Sequence, residues 1–253
     1  MMKLCVLMTA YNEERYIASA IDSLLDHPLP CDVIMVIVND GSTDGTVKII
    51  EGLAEKHRNI RLINTINQGV AKARNLLLQS IPDDCDLVTF LDADDAFAKG
   101  HLMRETARMI DDPSLDLTYG QICLVDTVEL DLAAAARQDS TIMRGIHFST
   151  GIFRKSLLQK VGFFDELYEQ AEDTDYLLRL FETGPNMYHN DEIGVYYRQH
   201  AGNMTNDLSV QRRNFMRAML GHAKRLKADP NLTPLDGKFK VTNLSTELGA
   251  QRR

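Results

Sequence analysis

Three carboxylates, Asp92, Asp94 and Asp95, fall within four positions directly after the apolar run Leu87-Val88-Thr89-Phe90-Leu91. Carboxylates crowded in this way repel one another unless a cation compensates them. Hard oxygen ligands at a strand end suit Mg²⁺ or Mn²⁺, ions that keep waters and share themselves with substrate phosphates. A solvated acidic turn is the plainer reading of this motif taken by itself. A second acidic group, Glu172-Asp173-Thr174-Asp175, stands where helical periodicity begins. A charged first helical turn is favoured by the helix dipole.

The segment Asn39-Asp40-Gly41-Ser42-Thr43-Asp44-Gly45 has two readings. Asp40, Ser42, Asp44, Gly45 and Glu51 match the twelve-residue calcium loop of an EF-hand. That loop needs a preceding helix, whereas Val33 to Val38 is six residues of strand-forming character. We therefore read a strand-to-helix turn, in which Asp40 can accept hydrogen bonds from a base or ribose. Tyr11 and Glu13 follow another apolar strand, where the ring could stack on a flat base and the carboxylate orient it. Asn67-Gln68-Gly69 ends in a glycine turn before a helix carrying Lys72 and Arg74, a candidate anion site. Packing for Tyr11 and a solvated helix face for the two cations are the simpler alternatives.

The elements that must position these groups alternate. Leu4 to Met8, Val33 to Val38, Ile60 to Asn64 and Leu87 to Leu91 read as strands, the second as an uninterrupted β-rich run suited to burial on both faces. Glu13 to Leu25, Thr46 to Lys56, Val70 to Gln79 and His101 to Ile110 read as the helices between and after them. Asn12 is placed to cap the first helix. This order predicts an α/β fold with a mostly parallel sheet between helix layers and a ligand crevice at the carboxyl ends of the strands. After about Asp116 the pattern changes. Leu117 to Val125 and Phe148 to Phe153 look extended, Asp126 to Arg144 is irregular and is expected to influence acceptor choice, and Thr174 to Phe181 is helical. Val195 to Arg198 is extended, and the polar stretch from Asp229 is expected to form a loose tail.

Composition narrows the function classes. The chain has 253 residues, 44% hydrophobic and 25% charged, enough for one large domain with a sizeable core. Its net charge of −8 argues against nucleic-acid binding, which relies on clustered Lys and Arg. Four separated cysteines without a Cys-x-x-Cys pair point to neither zinc nor a disulfide framework, and reduced thiols fit a cytoplasmic protein. The opening Met1 to Met8 reads as a first strand rather than a signal sequence. Gln211 to Lys227 carries six Lys or Arg and no acidic residue, with an apolar stripe. Such a helix could dock on the core, or meet an anionic membrane at its inner face or a lipid-linked acceptor.

Taken together, four ordered stretches resemble the family 2 glycosyltransferases of the GT-A fold: Thr9 to Ile17, Val38 to Thr46, Asn67 to Asn75 and Leu91 to Asp95. The resemblance runs on through Thr150-Gly151, Gly162-Phe163-Phe164-Asp165 and Glu172 to Asp175, covering about positions 3 to 200. It implies inverting transfer of a sugar from a nucleoside-diphosphate donor, a UDP-sugar on family frequency, to a saccharide or lipid-linked acceptor. The donor-binding set it implies is Thr9, Tyr11, Glu13, Asp40, Lys72, Arg74, Asp92 and Ala93. Asp94 and His200 would hold Mn²⁺ or Mg²⁺, Arg198 stands in the same late segment, and Asp173 takes the place of the general base. Thr9, where the family usually has proline, and Tyr176, near a common tryptophan, are departures. The implied division is a catalytic domain over 1–205, with a nucleotide-sugar half (1–115) and an acceptor half (116–205), followed by a helix and tail over 206–253. Aspartate-based phosphatases share Asp-x-Asp but place it at the start of their fold. A non-catalytic nucleotide-sugar-binding module is the stronger rival.

Overall fold

The continuous apolar runs become the inner strands of a single sheet. In the computed structural model, which describes residues 2–25, 28–125, 141–143, 147–200, 202–203 and 208–234, the first half alternates as expected. Strands β1 (Lys3–Ala10), β2 (Asp32–Asp40), β3 (Ile60–Thr65) and β4 (Leu87–Phe90) enclose helices α1 (Ile17–Leu25), α2 (Thr46–Lys56) and α3 (Val70–Gln79). The second half contains β5 (Ala96–Phe97), α4 (His101–Asp111), β6 (Leu117–Val125) and β7 (Ile142–Met143). A short 3₁₀ turn (Phe148–Thr150) leads into β8 (Gly151–Arg154), α5 (Lys155–Val161), α6 (Glu172–Glu182), β9 (Met187–Arg198) and α7 (Leu208–Ala228).

Among the described residues the strand order is β3-β2-β1-β4-β8-β6-β9-β5, with β7 beside β6. The first four strands are parallel. Parallel pairing dominates the sheet as expected, and beyond these strands it turns mixed: β8 runs antiparallel to both β4 and β6, and β9 is parallel to β6 but antiparallel to β5.

Alternating residues of β1 and β2 feed two cores. Leu4, Val6, Met8, Met35 and Ile37 pack with α1, α2 and α4 on one face. Cys5, Leu7, Val36 and Val38 pack with α3, α5 and α6 on the other. Burial on both faces explains why these strands lack a polar side. Tyr176 is fully buried here, its ring 4.2 Å from that of Phe164, so it serves the core rather than an open acceptor surface. Helix α7 docks against α6, where Ala218 joins Tyr168 and Leu178. The segment expected to influence acceptor choice, 126–144, lies almost wholly outside the described residues, as do 235–253 of the expected tail.

Candidate active site

Strand β1 lies between β2 and β4, so the chain leaves neighbouring carboxyl ends in opposite directions and opens a crevice there. Two loops are knitted together on one side of it. Asn12, at φ +58°, accepts the Thr43 amide at 2.8 Å, while its own amide donates to Ser42 Oγ at 3.0 Å. The Glu13 amide donates to Thr46 Oγ1 at 2.8 Å, and Glu14 Oε2 accepts the Gly45 amide at 2.7 Å. Asn12 therefore does not cap α1, which begins only at Ile17; its side chain is taken by a partner 31 positions away. Thr9 pairs with Val38 inside the sheet, and Tyr11 stands about half exposed at the crevice.

Asp40 ends β2 almost fully buried, and its two oxygens accept the Gln68 and Gly69 amides at 2.9 Å each. Gly41 follows at φ +74°, and a Cβ there would stand 2.5 Å from the Asn67 amide nitrogen. Only glycine fits this close approach. Lys72 and Arg74 separate: Lys72 is exposed beside Thr65, Gln68 and Glu166, whereas Arg74 is buried.

The strand-end carboxylates after β4 are held from behind by Arg198, which is 1% exposed at the end of β9. Its amide donates to Asp95 Oδ1 at 3.0 Å, its Nη1 to the Asp94 carbonyl at 2.6 Å, and its Nη2 to Ser19 Oγ at 2.8 Å. Arg198 is a brace beneath the site. His200, two residues on, places Nε2 3.0 Å from Asp94 Oδ2 while its ring stacks on Tyr16 at 4.7 Å. Ala93 is buried between the two aspartates.

Negative charge is concentrated here. Burial, then the charges of Asp94, Asp44 and Asp92, push the Glu13 carboxyl up to about 8. Burial and Asp92 raise Asp94, against the lowering effect of His200, and burial with Asp94 and Asp92 raises Asp95 well above the usual range. Asp95 Oδ2 is buried with no hydrogen-bond partner among the described residues. Ligand atoms of Asp92, Asp95 and His147 also lie within 4.8 Å of one another. Such an oxygen-rich set with imidazole nitrogens fits a divalent cation, and the nitrogens suit Mn²⁺ better than Mg²⁺.

Across the crevice, Asp173 lies in the first turn of α6. Its Oδ1 accepts the Thr174 amide at 2.6 Å, and among the described residues Oδ2 carries no hydrogen bond. Arg74 connects this turn to the strand-end motif: Nη2 donates to Asp92 Oδ1 at 3.0 Å, and Nη1 pairs with Glu172. Burial disfavours the guanidinium charge, but Glu172, Asp92 and Asp173 outweigh it and raise the group's pKa. Burial pushes the Glu172 carboxyl up to about 7, with Arg74 acting in the opposite direction. Asn75 fixes the approach to the turn, accepting the Phe164 amide at 2.8 Å and donating to the Phe164 carbonyl at 3.1 Å.

The structure brings Asp94 and His200 together and sets Asp92 beside Arg74, with His147 near Asp92 and Asp95; the isolated position of His147 gave no spacing signal in the sequence. Sequence reasoning also missed that Arg74 is an internal link, because its charge was visible and its partners, 18 and 98 positions away, were not.

The family model described as Glycosyl transferase family 2 matches residues 5–162. An uncharacterized glycosyltransferase of Haemophilus influenzae is 33% identical over 122 residues, 48% of this chain and 47% of that protein. The Staphylococcus aureus poly(ribitol-phosphate) beta-N-acetylglucosaminyltransferase TarS is 32% identical over 206 residues, 78% of this chain and 35% of that protein. The chain thus spans less than half the length of either relative. A crystal structure of S. aureus TarS residues 1–349 with UDP-GlcNAc superposes with a TM-score of 0.72 and 22% identity over 94% of this chain and 68% of that one. A Pyrobaculum calidifontis mannosyltransferase with GDP-Man and Mn²⁺ gives 0.64 and 19% over 89% and 64%. Both likenesses show the GT-A fold.

Proposed function

This chain belongs to glycosyl transferase family 2, and from that premise we propose that it is an inverting transferase moving a sugar from a nucleoside-diphosphate donor, a UDP-sugar, to an acceptor hydroxyl. The observation that carries the reading is the convergence of the cation-suited carboxylates after β4 with the Asp173 turn, joined through Arg74. The TarS neighbour was solved with UDP-GlcNAc, which supports the nucleotide-sugar class of donor.

In this reading Tyr11 stacks on the base, and Thr9, Glu13 and Asp40 shape its pocket. Asp40 uses lone pairs beyond those engaged by the Gln68 and Gly69 amides. Asp92 and the Ala93 backbone line the ribose and diphosphate, Lys72 adds positive charge at the crevice edge, and Arg74 holds Asp92 in place. Asp94 and His200 would hold Mn²⁺ or Mg²⁺, and Asp92, Asp95 and His147 form a second group whose ligand atoms lie within 4.8 Å of one another. When bound, that cation neutralises charge on the departing diphosphate, a Lewis-acid effect of several kcal/mol.

Asp173 Oδ2 takes the proton of the acceptor hydroxyl while that oxygen forms a bond to the anomeric carbon. The bond from that carbon to the diphosphate oxygen breaks on the opposite face, and its electron pair leaves with the diphosphate. One displacement inverts the centre and needs no covalent sugar on the protein. The catalytic unit is 1–205, with the donor held by 1–115 and a saccharide or lipid-linked acceptor by 116–205; 206–253 is an appendage.

A thermal-shift panel of nucleoside diphosphates and their sugars, with and without Mn²⁺, tests the donor site, because ligand bound to the folded state raises its stability. A Mn²⁺-dependent shift with one nucleotide, lost in Asp94→Ala, is expected; no shift with any nucleotide would remove the reading.

A further inference from the structure

The turn that carries Asp173 begins from a strained residue. Ala171, directly before α6, has φ +59°, and the first helical bond returns to it, from the Asp175 amide to the Ala171 carbonyl at 3.2 Å. A residue with a Cβ takes this left-handed conformation at a cost, and keeps it where the surrounding structure over-determines it. Two ion-pair clasps do so here. One is the Arg74–Glu172 pair. The other is Asp175, whose side chain is 6% exposed and receives a separate guanidinium on each oxygen: Arg179 Nε donates to Oδ2 at 2.9 Å and Arg225 Nη1 to Oδ1 at 3.2 Å. Both guanidinium groups are themselves anchored. Arg179 also donates to the Val161 and Phe163 carbonyls at 3.0 and 2.8 Å. Arg225, from α7, grips Glu182 at the far end of α6 through Nε at 2.7 Å and Nη2 at 2.8 Å, and His222 Nδ1 lies 2.6 Å from the same carboxylate.

Helical geometry sets Glu172 and Asp175 about 60° apart around α6, and Asp173 about 100° from the first and about 160° from the second. The first two are buried and Asp173 is partly exposed. We propose that Asp175 is a positioning residue for sugar transfer: clasped by Arg179 and Arg225, it holds Ala171 in the left-handed conformation and so fixes the direction in which Asp173 presents Oδ2 to the acceptor hydroxyl. The proposal deepens the transfer reading and rests on it. Holding α7 on the core is a separate task, because Arg225 already engages both oxygens of Glu182 for that purpose. Its further reach to Asp175 brings a charge from α7 to the turn of the general base, although α7 lies beyond residues 1–205.

The test compares UDP-sugar turnover, as transfer or release of free sugar, by full-chain wild type, Asp175→Asn, Ala171→Gly and the double variant, with Mn²⁺ and well below the melting temperature. Asparagine keeps the shape of Asp175 but can accept from one guanidinium only and turns an N–H₂ toward the other. In Asp175→Asn, kcat is expected to fall about ten- to hundredfold, the scale of a small misplacement at a reacting centre. The donor KM and the nucleotide-sugar thermal shift should stay as in wild type. Glycine takes the left-handed conformation without strain, so Ala171→Gly should recover most of the lost kcat in the Asp175→Asn background. Unchanged kcat in Asp175→Asn would overturn the proposal, as would a fall that Ala171→Gly leaves untouched or one that merely follows a loss of donor binding. Should Asp175→Asn not fold, Arg225→Lys carries the same expectations and refutations, since it keeps a cation for Glu182 but lacks the fork that also serves Asp175. Absence of turnover by the wild type with every UDP-sugar would remove the transfer reading and the proposal with it, a result distinct from wild-type turnover that survives in Asp175→Asn.

Discussion

Arg74 and Glu172, 98 positions apart, form a buried ion pair that ties the third helix to the turn carrying Asp173. The side chains are 9% and 6% exposed, and the same guanidinium also holds Asp92. The Asp92 side and the Asp173 side of the crevice are thus joined through one guanidinium.

Removing that link leaves Glu172 as a buried carboxyl without its cation. Arg74→Ala should cost about 3–5 kcal/mol of stability, the usual penalty for breaking a buried pair from one side. Arg74→Lys keeps the charge but cannot serve both carboxylates through a planar fork, and should fall between. Denaturant unfolding of the three proteins checks the order; equal stability of wild type and alanine variant would show that the pair contributes nothing.

The crowded carboxyls predict a pH dependence of stability. Glu13 rises from an ordinary 4.5 to about 8 and Glu172 from 4.5 to about 7 in the folded protein. Between about pH 4.5 and 8 the unfolded chain therefore binds fewer protons than the folded one, and stability of the cation-free protein should decline as pH rises through that window. Saturating Mn²⁺ should flatten the decline, because it compensates the charge near Glu13. Unfolding free energies at pH 5, 6, 7 and 8, with and without Mn²⁺, read this directly. A rise with pH in the cation-free protein would show the sign to be wrong.

Much of this was legible beforehand, for identifiable reasons. The runs Val33 to Val38 and Leu87 to Leu91 are apolar on both faces because they lie inside a two-faced sheet, and period alone locates them. Asn12 looked like a helix cap because capping is a local rule, but its side chain is taken by Thr43 of the neighbouring loop, a contact no local rule contains. The short α5 carries too few residues for a period to register, and the extended reading of Phe148 to Phe153 contains nothing that gives the antiparallel direction of β8. For the site, acidic crowding pointed to Asp92 and Asp94, whereas Asp173 stood out only through the family resemblance, because an acidic first helical turn has a plainer reading of its own. The bond between Asp94 and His200 spans 106 positions, and only the family resemblance, not spacing, pointed to the histidine.

Under the proposed cation site, that bond also orders the effects of removing Asp94 or His200. Asp94→Ala should abolish Mn²⁺-dependent stabilisation, since a carboxylate is the charge the ion requires. His200→Ala should weaken Mn²⁺ binding and favour Mg²⁺ relative to Mn²⁺, because the imidazole nitrogen is the ligand that distinguishes them. Calorimetric titration of both ions into both variants makes the comparison; unchanged Mn²⁺ affinity in His200→Ala would move the ion toward Asp92, Asp95 and His147.

Gly41 gives a prediction about architecture alone. At φ +74°, with the Asn67 backbone nitrogen 2.5 Å from any added Cβ, Gly41→Ala should cost about 1–3 kcal/mol. Melting temperature should fall by about 2–4 °C for each kcal/mol in a chain of this size. A melting point equal to wild type would mean the β2–α2 turn can relax.

The most direct test of the central claim is a comparison of sugar turnover from UDP-sugars by wild type and Asp173→Asn with Mn²⁺ present, using transfer to acceptor or release of free sugar as the readout. The account predicts measurable turnover in the wild type and a fall of about 10²- to 10⁴-fold in the variant, the range for loss of a general base, with the nucleotide-sugar thermal shift retained. Wild-type turnover that survives the substitution would contradict the role of Asp173, and nucleotide-sugar binding without turnover under any acceptor would mark the chain as a binding module.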